Sequence, residues 1–224
     1  MSKVLSFVKL DFITVKPYFT VKNLFILLIV ITALSINNTA GGVLIGIVMA
    51  FALMYSSYPF AVGEKNSIDH LYATLPMSKR SVVLGRYGFV IALDVISGVV
   101  ACLLLFVLQT ILQRPFSLQE TLLTALVLFV IYTFFQAIQL PIYFKLGYAK
   151  AKFLAYMPIA IFPLVAVAVG SRFSEVDWVK LMGNALVWIS DNQFFTVAVS
   201  VIIWIAIMFI SYSISLSFYK KREF

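Results

Sequence analysis

The chain has few charged residues: they make up 12% of its 224 residues, about half the share in typical soluble domains. Apolar residues account for 62%, and the mean hydropathy is +1.04. This composition excludes an ordinary soluble domain. Several stretches carry no charge and are long enough for a helix to cross the hydrocarbon core, which takes roughly 17–25 residues. They are Asn23 to Gly63, Val95 to Gln113, Thr121 to Phe144, Phe153 to Ser171, and Asn192 to Tyr219.

The residues of common catalytic and metal sites are also scarce. Cys102 is the single cysteine and His70 the single histidine, so the sequence predicts neither an internal disulfide nor a metal site. The Ser, Asp and His residues are too scattered to predict a catalytic triad, and we predict no catalytic residue. The chain also lacks the G-x-x-x-x-G-K-[ST] motif that holds nucleotide phosphates. We therefore expect neither an enzyme nor a chain with a cofactor of its own.

The apolar runs predict an all-α integral membrane protein that forms a single domain over 1–224. The first charge-free stretch breaks at the turn-forming residues 35–42. Six spans are predicted, at about 21–37, 42–60, 83–112, 118–144, 152–170 and 194–219. Segment 171–193 is predicted to lie outside the cell. Pro59 predicts the end of the second span. Helix starts are predicted at Ser78 and at Ser117, where Glu120 completes a capping box.

The first 20 residues predict an amphipathic helix at the membrane interface. Leu5, Val8, Phe12, Val15 and Phe19 recur at helical spacing on one face, and the lysines lie off that face. Such a helix places its apolar face in the acyl boundary and its lysines among the headgroups. The alternative is a frayed tail.

The distribution of basic residues predicts the orientation. All but three of the 17 Lys and Arg residues fall on one side of the six-span path, and the exceptions are Arg114, Arg172 and Lys180. Basic residues beside spans are retained on the cytoplasmic face. Both termini are therefore expected in the cytoplasm. The basic residues beside the spans are expected to lie against membrane lipid. The basic residues are spread over short loops, so we do not expect nucleic-acid binding.

The cytosolic segment between the second and third spans, 63–76, predicts a short amphipathic helix. Ile68, Leu71, Tyr72 and Leu75 follow i, i+3, i+4, i+7 spacing, and Pro76 ends the pattern. A helix joined to two spans is suited to transmit a push from a soluble partner, with its apolar stripe in a groove of that partner. The periodicity alone fits equally well a helix lying on lipid.

The same segment carries a motif. Glu64-Lys65-Asn66 is followed by Leu71-Tyr72, then by Thr74-Leu75-Pro76-Met77-Ser78-Lys79-Arg80 and by Gly85-Arg86-Tyr87. This run resembles the small six-span permeases of the ABC-2 exporter family, which have a type V exporter-like transmembrane domain. The resemblance extends over most of the chain. It is greatest to the membrane subunits of staphylococcal-type exporters of phenol-soluble modulins, which are amphipathic helical peptides.

The resemblance implies a subunit of the bacterial plasma membrane that pairs with a second copy or with a homologous permease. Two copies of a separate ABC ATPase bind ATP and Mg and move the segment at 63–76, which acts as a coupling helix. The cargo implied is hydrophobic or amphipathic, such as phenol-soluble modulins or antimicrobial peptides. The residues expected to contact the ATPase are Glu64, Lys65, Asn66, Asp69, His70, Leu71, Tyr72 and Leu75.

Asp94 is the only carboxylate well inside a predicted span. A charge at the bilayer centre costs roughly 2.5–3.5 kcal/mol on insertion scales, so such a residue usually faces a bundle interior or a cavity. Asp94 either lines a translocation path, where it meets a lysine of a cationic peptide, or bonds to Ser97 or to a neighbouring helix residue such as Gln136. It is expected near the cytosolic edge, about 10 Å from Tyr87 at the cytosolic side of the third span.

Three further residues are path candidates. Gln136 and Gln139 either bond between helices or line the path. Phe134, with Phe129 and Phe135, either lines an apolar route or packs against lipid.

Two functions other than an ABC permease remain open at this point. One is a transporter driven by protons through Asp94. The other is a membrane partner of an ATPase that transports nothing, such as an immunity or sensing subunit. The latter would share the coupling helix.

Overall fold

A computed structural model describes residues 3–20, 23, 25, 29, 40–65, 78–158, 161 and 193–221. In these ranges the chain is helical, with short turns. The helices are α1 (Lys3–Val15), α2 (Ala40–Tyr55), α3 (Tyr58–Lys65), α4 (Lys79–Ile111), α5 (Leu118–Leu146), α6 (148–158) and α7 (Gln193–Lys221). A 3-10 turn, Lys16–Tyr18, follows α1.

Four described segments are long and apolar enough to cross a membrane: Gly41–Lys65, Lys79–Ile111, Leu118–Leu146 and Ala198–Lys221. They correspond to the second, third, fourth and sixth predicted spans. Most of the first predicted span, more than half of the fifth, and all of segment 171–193 except residue 193 lie outside the described residues. The all-helical architecture is thus confirmed over the described part of the chain, with four segments suited by length and composition to cross a membrane.

Serine side chains cap the starts of α4 and α5, as predicted. The Ser78 hydroxyl accepts a hydrogen bond from the Ser81 N–H at 3.2 Å, and the Ser117 hydroxyl accepts one from the Glu120 N–H at 3.4 Å. Each satisfies a backbone donor that the first helical turn leaves without an intrahelical acceptor. Because Ser78 caps the helix, α4 starts at Lys79, earlier than the span boundary predicted at 83.

The second span does not end at Pro59. The helical path breaks earlier, where the Ser56 and Ser57 hydroxyls donate to the carbonyls of Leu53 and Met54 at 2.6 and 2.8 Å. These local bonds compete with helix continuation. Pro59 then lies in the first turn of α3, where its missing N–H removes no helical bond, and the helix continues to Lys65.

The N-terminal helix is confirmed, and part of its predicted apolar face packs against the protein. Phe12 and Val15 of that face contact the core together with Phe7 and Asp11, and α1 packs along α4. Leu5, also on the predicted face, is 56% exposed. The pattern counted only apolar residues, whereas the buried face of α1 includes a carboxylate.

Two apolar clusters form the described core. The larger joins α1, α3, α4, α5 and α7 around Phe60, Phe89 and Tyr143. The smaller joins α2 to α4 around Ile45, Met49 and Leu105, with α5 side chains packed against it.

Candidate functional site

One end of the bundle gathers several helix termini, and we call it the basic end. The Lys79 Nζ at the start of α4 donates to the Lys220 carbonyl oxygen at the end of α7, at 3.2 Å. The Lys145 Nζ at the end of α5 lies 5.1 Å from the centroid of the Phe218 ring of α7. The ends of α5 and α7 therefore meet the start of α4.

The described basic residues concentrate at this end. Eight of them lie at or near the helix termini gathered there: Lys65, Lys79, Arg80, Lys145, Lys150, Lys152, Lys220 and Lys221. Arg114, between α4 and α5, lies at the opposite end. This division agrees with the one made from the sequence for those residues, and it is the basis of the orientation proposed below.

Glu64 connects two turns of the basic end. Its Oε2 accepts a hydrogen bond from the Ala149 N–H at 3.0 Å. Helix α5 ends at Gly147, whose φ of 74° is a backbone conformation that favours glycine. Ala149 therefore lies in the first turn of α6, where free N–H groups attract a carboxylate. The C-terminus of α3 is thereby tied to the turn between α5 and α6.

Arg86 is buried close to the start of α4. Its Nε lies 3.4 Å from Asp11 Oδ2 of α1, with side chains 6% and 4% exposed. The guanidinium carbon stands 4.7 Å from the centroid of the Phe60 ring of α3. The preceding residue, Gly85, touches α1 so closely that an added Cβ would overlap the Phe7 side chain. Arg86 therefore forms an ion pair with Asp11 of α1 and stacks on the Phe60 ring of α3.

Tyr87 connects α4 to α7. Its hydroxyl lies 2.5 Å from the Ser211 Oγ and 2.8 Å from the Ser215 Oγ. Ser211 Oγ in turn donates to the Ala137 carbonyl of α5 at 2.6 Å. Hydroxyl groups buried in lipid-embedded helices need partners of this kind.

The consecutive residues Gly85, Arg86 and Tyr87 therefore join α4 to α1, α3 and α7, and we call them the α4 anchor. The sequence marked these three as part of a motif but did not predict Asp11 or Phe60 as partners. A buried arginine requires a partner, and the lone carboxylate among the lysines of α1 was the available signal.

Two of the eight residues predicted to contact a soluble partner lie in the described part of the chain. Glu64 and Lys65 are exposed at the end of α3, directly before the predicted coupling helix. Asn66, Asp69, His70, Leu71, Tyr72 and Leu75 lie outside the described residues.

Among the path candidates, Asp94 and Gln136 meet between α4 and α5. Gln136 Nε2 donates to Asp94 Oδ1 at 3.0 Å, and both residues are 0% exposed. The predicted interhelical bond is thus confirmed with Gln136, whereas the Ser97 hydroxyl bonds to the Asp94 carbonyl instead. Because α4 starts at Lys79, Asp94 lies about 22 Å along it, near its middle and not near its end.

The other path candidates lie elsewhere. Gln139 is buried one turn beyond Gln136. Phe134 is 42% exposed and lies beside α7, next to Trp204 and Ile207. The structure therefore brings Asp94 and Gln136 into contact but separates Phe134 from them.

An apolar groove between α4 and α5 begins at Asp94, and we call it the α4–α5 groove. Its volume is 830 Å³, and it extends past Gly98, Leu103 and Phe129 to Phe116, away from the basic end. Asp94 is the single charged residue among the described residues that line it. The groove can accept an apolar body, with a polar contact at one end.

Comparisons with known proteins give a family but no individual relative. No curated protein and no solved structure matches this chain. Residues 6–220 match the family described as ABC-2 family transporter protein. A match over nearly the whole length agrees with the apolar helices, and members of this family are membrane subunits that work with an ABC ATPase. The chain belongs to the ABC-2 family of transporter proteins and is a membrane protein.

Proposed function

We propose that this chain is the permease subunit of an ATP-driven exporter of the bacterial plasma membrane, with its basic end in the cytoplasm. The proposed orientation rests on the concentration of described lysines and arginines at that end, because such residues are retained on the cytoplasmic side. Both termini then lie inside the cell.

We place the contact with the ATPase on the segment between α3 and α4. The contacting residues proposed are Glu64, Lys65, Asn66, Asp69, His70, Leu71, Tyr72 and Leu75. The observation that carries this proposal is the α4 anchor, which connects the start of α4 to α1, α3 and α7. A displacement of the segment would reach most of the described bundle through these contacts.

The complex proposed contains two permeases, identical or homologous, and two ATPase subunits that bind ATP and Mg. Nucleotide-driven closure of the ATPase pair moves the coupling helix. The permease itself supplies the membrane path and performs no chemistry.

The cargo proposed is an amphipathic peptide of the modulin or antimicrobial kind. Its support is the resemblance to modulin exporters together with the α4–α5 groove, which is apolar along its length and polar at one end. Such a peptide should stimulate ATP hydrolysis by the assembled complex. Constant ATP turnover across a peptide titration would count against this cargo.

The test of the proposed function is complex formation. The tagged chain is co-expressed with each ABC ATPase of its organism in turn, and the subunits are purified together. The variant Leu71→Glu with Tyr72→Glu should lose the ATPase, because charges replace the apolar stripe of the coupling helix. Arg114→Glu, at the opposite end, is the control and should retain it. A complex that survives the double substitution unchanged contradicts the proposal.

A further inference from the structure

Asp94, which lines the α4–α5 groove, and Gln136, which is hydrogen-bonded to it, both have acceptor atoms without a donor among the described residues. Asp94 Oδ1 is occupied by Gln136 Nε2. Asp94 Oδ2 and Gln136 Oε1 are both buried, and no described residue donates to either. A buried acceptor left unpaired is unfavourable, so this pair is complementary to a ligand that brings N–H donors.

No described cation fills that role. Arg86, two turns before Asp94 on α4, is paired with Asp11 and stacked on Phe60. A protonated amine has three donors and no acceptor, which matches two unpaired acceptors, one of them on a carboxylate. The chemistry of the site therefore favours a cation supplied from outside the described residues.

The groove also has free space beside the carboxylate. Gly98 lies one turn after Asp94 and lines the groove, and a Cβ added at Gly98 would meet no described atom within 4 Å. Met49, which lines the groove beside Asp94, is fully buried, and its flexible thioether chain can repack around an incoming group.

We propose that the α4–α5 groove binds the apolar face of an amphipathic helical peptide, with a basic side chain of that peptide paired to Asp94. This inference rests on the proposed function and specifies its substrate: an apolar stripe with a lysine at one end. The groove extends about 18 Å along α4 from Asp94 to Phe106, which is the length of roughly three helical turns of a peptide.

The depth of Asp94 favours a peptide over a lipid amine. Asp94 lies about 22 Å from the start of α4 and about 25 Å from its end, so it stands in the middle of a helix of 33 residues. The amine of a phospholipid headgroup stays at the interface. A lysine on a peptide that crosses the membrane reaches this depth.

The experiment uses the full chain in lipid nanodiscs and two labelled synthetic peptides. Both are amphipathic helices with one apolar stripe, and they differ only at its end, where one has lysine and the other acetyl-lysine. Affinities are measured by fluorescence anisotropy. The wild-type chain should bind the lysine peptide about ten- to a hundredfold more tightly, the range expected for charge-assisted hydrogen bonds.

Two groove variants and one control separate the contribution of the Asp94 charge to peptide binding from that of the apolar groove. Asp94→Asn keeps the shape of the side chain and should bind both peptides equally. Gly98→Leu places a larger side chain where an added Cβ meets no described atom within 4 Å and should weaken both peptides at least about tenfold, because it removes room for the apolar face. Ile202→Leu, on an exposed part of α7, should change neither affinity.

Three results would overturn the inference: no preference for lysine in the wild type, a preference that persists in Asp94→Asn, or unchanged binding in Gly98→Leu. If Asp94→Asn fails to fold, Gly98→Leu and the wild-type preference still decide. Failure of the proposed function is distinguishable, because it appears as absence of an ATPase complex while the peptide preference remains. A lost preference with an intact complex removes only this inference.

Discussion

The charged side chain of Arg86 is almost fully buried, and Asp11 is its ionic partner. Removing one member of a buried ion pair leaves the other charge uncompensated, which typically lowers the free energy of unfolding by about 3–5 kcal/mol. We therefore expect Asp11→Asn and Arg86→Met each to be strongly destabilising. The double variant Asp11→Leu with Arg86→Met should recover much of the loss, because no charge is then buried.

The measurement is unfolding in mixed micelles with increasing SDS, followed by tryptophan fluorescence. Arg80→Met is the matched control, because Arg80 is exposed beside the same helix start and should shift stability by less than about 0.5 kcal/mol. Equal changes in the free energy of unfolding for Arg80→Met and Arg86→Met would show that the ion pair between Arg86 and Asp11 does not stabilise the protein.

Two glycines of α4 should respond oppositely to the same substitution. Gly98→Ala meets open space and should stabilise the helix by up to about 1 kcal/mol through helix propensity. Gly85→Ala would overlap Phe7, and overpacking of this kind typically costs about 1–3 kcal/mol. The unfolding assay described above distinguishes them. A stabilising Gly85→Ala would mean that α1 does not pack closely on α4.

Helix α6 begins where Glu64 accepts the Ala149 N–H. Loss of an acceptor at a helix start typically costs about 1 kcal/mol. We expect Glu64→Ala to accelerate hydrogen exchange around 147–151, measured by mass spectrometry. The matched variant Lys65→Ala alters the adjacent exposed residue and should leave exchange at 147–151 unchanged. Unchanged exchange in Glu64→Ala would show that α3 and α6 are not tied together there.

The elements show which structural features the sequence could predict. The starts of α4 and α5 were predictable, because Ser78 and Ser117 act on backbone groups only three residues away. The break at Ser56–Ser57 was not, because serine hydroxyls that bond back to a helix produce no change in hydrophobic pattern. Pro59 suggested a helix end, yet a proline in a first turn is equally favourable.

The contacts of the candidate site likewise include some that the sequence could predict and some that it could not. The Asp94–Gln136 bond was foreseeable, because few polar partners exist at that depth. The pairing of Arg86 with Asp11 joins positions far apart in the chain, and spacing contains no information about it. The burial of Asp11 on α1 was missed for the same reason: a carboxylate becomes part of a buried face only when its partner is known.

The orientation of the whole molecule, proposed from the described residues of the basic end, can be measured with one probe. Because Cys102 is the single cysteine, Cys102→Ser gives a cysteine-free chain. A cysteine placed at Arg114 should react with an impermeant maleimide in intact cells. A cysteine at Lys65 should react only after permeabilisation, because it would face the cytoplasm. Labelling of position 65 from outside would reverse the orientation.

We propose that this membrane chain moves amphipathic peptides by using ATP that a separate subunit hydrolyses. This proposal is tested by uptake of a fluorescent amphipathic helical peptide into inside-out vesicles that contain the chain and its ATPase. We expect uptake that requires Mg, ATP and both proteins, and we expect that a proton gradient cannot substitute for ATP. Uptake driven by a proton gradient without ATP, or ATP hydrolysis by the complex with no peptide uptake, would contradict it.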